Sequence, residues 1–237
     1  MDETNWVDAG DDDRNGAVKE QELPLTRSKR DRPASLVMVE TAFLSSAASL
    51  MWLINYYFPL GPVLQLLFPI PIALLYLRRG NRAAWMGVLI SGLLLSVLLG
   101  PTRSIMFTVP YAVLGVQLGA IWKRGGSWYF SMVLGTILGT FGSFFRIFLI
   151  SIFLGENFWL YAINQITRWL DWVFIKLGIL VQPDIGLIQA IAFVMLFFNS
   201  LLYTFTVHLV ALLLFDRLKT PIPRPPAWIQ ALVEYDY

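Results

Sequence analysis

The chain has 237 residues, 57% of them hydrophobic, and a mean hydropathy of +0.61. Its 18 basic and 16 acidic side chains are 14% of the sequence, against roughly 25% in a soluble domain. This excludes an ordinary soluble enzyme, a disordered chain and a nucleic-acid binder with its basic surface stripe, and predicts an all-α integral membrane protein.

Residues 1–33 read as a disordered, charged cytoplasmic tail. Fifteen of the 34 charges fall in the first 32 residues, nine acidic and six basic. Secretory signals turn apolar early and transit peptides are poor in acids. The segment also has too few large apolar residues to bury a core.

Residues 34–220 read as one transmembrane domain. A helix of about 20 residues crosses a hydrocarbon core of about 30 Å, and positions 41–77 run 37 residues without a charge. Two spans therefore fit there, 35–57 and 60–77, parted by a segment rich in Tyr, Pro and Gly. Pro69 and Pro71 predict a kink in the second span; a discontinuous helix at a binding site is the alternative.

A basic turn, Arg78, Arg79, Arg82, precedes a third span at 83–99. A Gly100-Pro101-Thr102-Arg103 hairpin leads to a fourth at 104–122; the fifth is 128–154 and the sixth 187–215. Between the last two, Asn157, Tyr161, Asn164, Arg168 and Asp171 recur every three or four positions. That stripe predicts an amphipathic helix over 156–178 at the outer membrane face, with a seventh span as the rival. Residues 221–237 are a Pro-rich cytoplasmic tail.

Orientation favours six spans with both termini cytoplasmic. That arrangement places twelve Lys and Arg inside and three outside, following the positive-inside rule; a seventh span gives nine against six.

Ionisable groups within spans are costly and so are functional candidates. They are Glu40, Arg146 and His208. Glu40 and His208 fall at similar depths, roughly 8–11 Å below the inner surface, and could form a pair. That pair reads as a helix tie or a proton-coupling site, and the remaining option is Glu40 reaching the inner headgroups.

Arg146 lies in the outer half. It either snorkels, pairs with Glu156, Asp171, Asp184 or a bound anion, or meets a ligand in an outward-facing pocket. In the last case Arg103 and Arg168 flank the mouth, and Asn164, Gln165, Trp169 and Trp172 supply hydrogen bonds and stacking.

Small residues form a second set. Gly115 and Gly119, and Gly135, Gly139 and Gly142, have helix-packing spacing. Ala42, Ser45, Ser46 and Ser49 give the first span a small-residue face for packing or for docking a separate subunit.

There is no cysteine and one histidine, so no thiolate or multi-histidine metal site can form within one chain. No phosphate-binding Gly-rich loop with Lys, HExxH motif or Asp within a span is present. Neither a cofactor nor an enzymatic activity is expected.

The stretch Phe68-Pro-Ile-Pro-Ile-Ala-Leu-Leu-Tyr-Leu-Arg-Arg-Gly, the Gly-Pro-Thr-Arg hairpin and the Gly-spaced fourth and fifth spans carry a resemblance. Over 34–219 the chain resembles the uncharacterised YybS-like family of bacterial membrane proteins, its cyanobacterial members most. That family is similar to the substrate-binding S components of energy-coupling-factor transporters. The resemblance implies six helices and capture of a vitamin-like solute from the outer side. Energy would come from a transmembrane coupling subunit and ATPases, which dock on the first helix at Ala42, Ser45, Ser46 and Ser49. Segment 156–178 would be the lid.

The expected function is a solute-binding transport subunit in the bacterial plasma membrane, or in a thylakoid membrane. The alternative is a non-transporting scaffold or assembly factor acting through its helices and N-terminal tail. A pocket beside Arg146 belongs to the first; a filled core with Arg146 paired to an acid belongs to the second.

Overall fold

The computed structural model describes residues 34–58, 61–176, 178, 184–220, 222–223 and 226. The expected tail over 1–33 and most of that over 221–237 lie outside the described residues. Among those described the chain is all helical, with no strand. The helices are α1 (Ala34–Tyr57), α2 (Pro62–Leu66), α3 (Ile70–Arg79), α4 (Asn81–Leu99), α5 (Pro101–Phe107), α6 (Val113–Lys123), α7 (Trp128–Leu154), α8 (Phe158–Lys176) and α9 (Ile185–Arg217), with a π-helical turn, Thr108–Ala112, joining α5 to α6.

Among the described residues, five stretches are long and apolar enough to cross a membrane: Ser35–Tyr57, Asn81–Leu99, Pro101–Lys123, Trp128–Leu154 and Ile185–Arg217. Their outer surfaces are oily. Phe43, Leu93, Val97, Ile137, Phe148 and Val194 are each more than half exposed. Water would penalise so much contiguous apolar surface, whereas lipid is a suitable solvent for it.

The expected second span departs from a continuous kinked helix. It is two helices, α2 and α3, separated by a turn at Leu67–Pro69. Proline explains the break. Pro69 and Pro71 have no N–H to give, and both sit at the start of α3, where helical N–H groups have no intrahelical acceptor. Every residue of α3 from Ile70 to Tyr76 is buried. It is the central strut of the bundle, packed against α1, α4 and α6.

Two expected loops shrink to single glycines. Gly80 (φ 90°) and Gly100 (φ 89°) each end one helix and begin the next. Those positive φ values are open to Gly and strained for other residues. Pro101 then starts α5 directly, so the expected hairpin at 100–103 is mostly helix.

The core has three parts. One joins Ile70, Leu74, Leu114, Leu118, Trp122 and Phe215. A second joins Ala48, Phe68, Ile72, Val88, Leu95 and Phe107. A third, smaller one holds α8 to α9 through Ile163, Leu170, Ile188 and Ala192. Ile222, beyond α9, is buried against the first cluster.

Candidate functional site

The close crossing of α7 and α9 is set by small residues. A Cβ on Gly135 would stand 2.6 Å from Thr204 Cγ2, and one on Gly139 3.3 Å from Ser200 Cβ. Gly142 continues the same face and meets Pro110, where a Cβ would lie 2.8 Å from the proline Cβ. Gly115 and Gly119 do the same work between α6 and α3, against the Pro69 carbonyl and the Tyr76 Cβ, each at 2.5 Å. All five glycines thus face a neighbour within the chain.

Beside this crossing, a cleft of about 500 Å³ opens between α7 and α9. Arg146 and Ser143 line it from α7, Asn199 and Tyr203 from α9, Tyr111 from the π turn and Gln65 from α2. Leu114, Ile147, Ile150, Leu196 and Phe158 complete its apolar walls. Two backbone irregularities border it, the π turn and the α2–α3 break. Pro110 cannot donate to an α-helical carbonyl, and a π turn accommodates that loss.

The polar groups are organised around the tyrosines. Tyr203 donates its hydroxyl to the Gln65 carbonyl at 2.9 Å, tying α9 to α2. The Tyr203 and Tyr111 rings meet edge to face at 6.0 Å. Tyr111 also packs on Trp52 and Phe68, with ring centroids at 5.5 and 5.3 Å. The Arg146 guanidinium interacts with the Tyr111 hydroxyl. Arg146 and Asn199 are both exposed. Arg146 is 18 residues along α7 from Trp128, which is about 27 Å at helical rise. The cleft therefore lies far from the bundle end that carries Arg78, Arg79 and Lys123.

The expected flanking residues are elsewhere. Arg103 stacks on the Tyr56 ring, 4.2 Å from its centroid. Arg168 donates to the Asn164 carbonyl at 3.4 Å, and Gln165 to the Tyr161 hydroxyl at 3.0 Å. Trp169 and Trp172 are 57% and 60% exposed. None of these lines the cleft. The reason is helical phase. α8 buries Ile163 and Leu170, and that turns Asn164, Gln165, Arg168, Trp169 and Trp172 outward. Only Phe158, at its first turn, reaches the cleft.

Glu40 and His208 do not meet. Glu40 binds Arg78 at 3.1 Å through one oxygen and Arg79 through the other. His208 is fully buried between the Trp122 and Trp128 rings, at 5.3 and 5.2 Å. Its Nδ1 lies 2.7 Å from the Thr204 carbonyl, which can only accept, so Nδ1 carries the proton. Nε2 then accepts from the Ser131 hydroxyl at 2.9 Å.

The small face of α1 divides in two. Ser45 and Ser49 are buried. Ser45 donates to the Thr41 carbonyl at 2.7 Å, and Ser49 to those of Ser45 and Ser91 at 3.0 and 3.2 Å. Neither is available to a partner. Ala42 and Ser46 are exposed.

Sequence reading missed Gln65, Tyr111, Ser143, Asn199, Ser200 and Tyr203, all in the cleft lining. Their signal is in the sequence: they are neutral polar groups within apolar runs. Among the described residues no cluster of His, Cys, Asp and Glu could hold a metal ion.

Several apolar helices around a buried strut, with a cleft between two of them, define a multi-pass helical membrane protein. The family model described as "Predicted membrane protein (DUF2232)" matches residues 46–231, and the chain belongs to that family. No curated protein and no solved structure matches it.

Proposed function

We propose that the protein is a solute-binding subunit of a transport system, similar in role to the S components of energy-coupling-factor transporters. It takes its solute into the cleft beside Arg146. The observation that carries this reading is the cleft itself. It has the volume of a small-molecule site, with mostly apolar walls and a few aimed polar groups. A filled core with Arg146 paired to an acid would favour a scaffold. Among the described residues both ion pairs belong to Glu40, so neither Glu156, Asp171 nor Asp184 neutralises Arg146.

In this reading α2 and α3 together make a sixth, discontinuous crossing. Both termini are cytoplasmic, and the Arg78, Arg79 and Lys123 end faces inward by the positive-inside rule. The membrane is the bacterial plasma membrane, the cleft opens toward the outer side and α8 lies at the outer face as an amphipathic helix. A coupling subunit would meet α1 through Ala42 and Ser46.

Affinity purification of the tagged full chain from its native membrane tests this. Recovery of a transmembrane coupling subunit with ATPases is expected. Recovery of envelope or thylakoid assembly machinery alone would overturn the transport reading.

A further inference from the structure

We infer that the cleft selects a ligand with one negative charge on an apolar body, such as a carboxylate or phosphodiester bearing an aliphatic chain. This rests on the cleft being a binding site, as proposed above, and adds the chemical class of what it holds.

Charge comes first. Among the described residues, Arg146 is the single formally charged one in the lining, and no carboxylate lines the cleft with it. A guanidinium at membrane depth is costly unless it is paired. The Tyr111 side chain beside it is a phenol and not a carboxylate, so it can orient the guanidinium but supplies no counter-charge. The unmatched charge is one positive unit, and one anionic group completes it.

Donor geometry comes second. Guanidinium presents a planar fork suited to two oxygens of a carboxylate or phosphate. The Asn199 amide lines the same cleft and adds N–H donors. Tyr203 and Ser143 already direct their hydroxyl protons to the carbonyls of Gln65 and Gly139. Their protons are engaged, which leaves the Arg146 guanidinium, the Asn199 and Gln65 amides and the Ser200 and Tyr111 hydroxyls as donors along the lining, with Arg146 the charged one among them.

The walls come third. Ile147, Ile150, Leu196 and Phe158 surround these donors. A small hydrophilic dianion would leave that surface wet and place two charges against one. An amphiphile with a single acidic head satisfies both halves. Its source can be a free organic acid or an anionic phospholipid, because the same head chemistry serves each.

The test uses the full chain in nanodiscs of phosphatidylcholine. Three probes are titrated and read by native mass spectrometry: dodecanoate, its neutral amide, and phosphatidylglycerol. Dodecanoate should bind about tenfold or more tighter than the amide, since a charge-assisted hydrogen bond is at stake. Arg146→Gln should abolish that preference, while Arg146→Lys keeps part of it. Preferential retention of phosphatidylglycerol, lost in Arg146→Gln, would support the same head chemistry with lipid as its source.

Leu196→Trp, which fills the cleft, separates the two levels of the argument. Equal binding of acid and amide, both lost in Leu196→Trp, would overturn the anionic class and leave the cleft as a binding site. Binding of no probe, or binding that neither Leu196→Trp nor Arg146→Gln alters, would overturn the class together with the site.

Discussion

Tyr203 and Gln65 are 138 positions apart in sequence, yet the phenol hydroxyl of one holds the backbone carbonyl of the other at 2.9 Å. The bond exists because α2 ends early. Its last carbonyls point out of the helix, and in lipid such groups need a partner within the protein. The bond also fixes one wall of the cleft, since both residues line it.

Tyr203→Phe should therefore loosen the cleft more than it loosens the fold. The Gln65 carbonyl keeps the Phe68 N–H, at 3.3 Å, so the stability loss should be only about 1 kcal/mol. Thermal unfolding in detergent would measure that loss. Probe binding should fall by a larger factor, and an unchanged affinity would count against α2 as a wall of the site.

Glycine packing gives a graded prediction. Gly119→Ala would set a Cβ 2.5 Å from the Tyr76 Cβ and 2.9 Å from the Ala73 carbonyl, both on the buried strut α3. Neither neighbour is a flexible tip, so overpacking should cost about 1–3 kcal/mol. Gly139→Ala meets Ser200 at 3.3 Å and should be tolerated far better. Folded yields of the two variants, compared by size-exclusion profile, check the order.

Glu40 is expected to be a structural clamp. Its two oxygens hold Arg78 and Arg79 at the end of α3, and the Arg79 side chain is only 9% exposed. Glu40→Gln would leave that guanidinium without its carboxylate. The loss should be about 1–3 kcal/mol, less than for a fully buried pair because Arg78 remains wet. Removing Arg79 as well should recover part of it, and a double-mutant cycle reads the coupling. Simple additivity would show that the pair contributes nothing.

His208 with Ser131 makes the parallel neutral case. Ser131→Ala strips the donor from a fully buried Nε2, for a loss of about 1–3 kcal/mol. His208→Leu together with Ser131→Ala removes both polar groups and should recover much of that. Melting temperatures of the two variants in one detergent decide it.

The contrast between these pairs explains what the sequence could and could not reveal. Apolar runs located the five long helices within a few residues, because length and hydropathy are local properties. Glu40 and Arg146 are apart in the fold, Glu40 on the arginines that end α3 and Arg146 in the cleft. Pairing was not legible. Glu40 and His208 were expected at one depth, but Arg78 and Arg79 stand beside Glu40, and a carboxylate gains more from two guanidinium groups than from one imidazole. His208 meanwhile finds a carbonyl four residues back in its own helix. The cleft failed in sequence for a similar reason. Asn164, Gln165 and Arg168 of α8 are exposed, but the periodicity of one helix does not say which side its neighbours occupy. The neutral polar residues that line the cleft come from α2, the π turn, α7 and α9, four elements brought together only by packing.

Membrane topology supplies the last prediction. The chain has no cysteine, so single-cysteine variants report accessibility without background. Arg82 and Arg124 flank a pair of crossings, α4 and the stretch Pro101–Lys123; Arg82→Cys and Arg124→Cys should be labelled from the same side by an impermeant maleimide. Arg103→Cys, in the first turn after the Gly100 junction of those crossings, should be labelled from the other. Tyr57→Cys decides whether α2 and α3 jointly cross. If they do, position 57 shares a side with 103, because α1 ends opposite the turn at Gly80. If α2 and α3 only dip into the bundle and return, position 57 shares a side with 82, and the count of crossings falls by one. Asn164→Cys then places α8. Labelling from the side of position 103 fits a helix at the outer face, whereas labelling from the side of position 82 would invert the opening of the cleft and remove the basis for capture from outside.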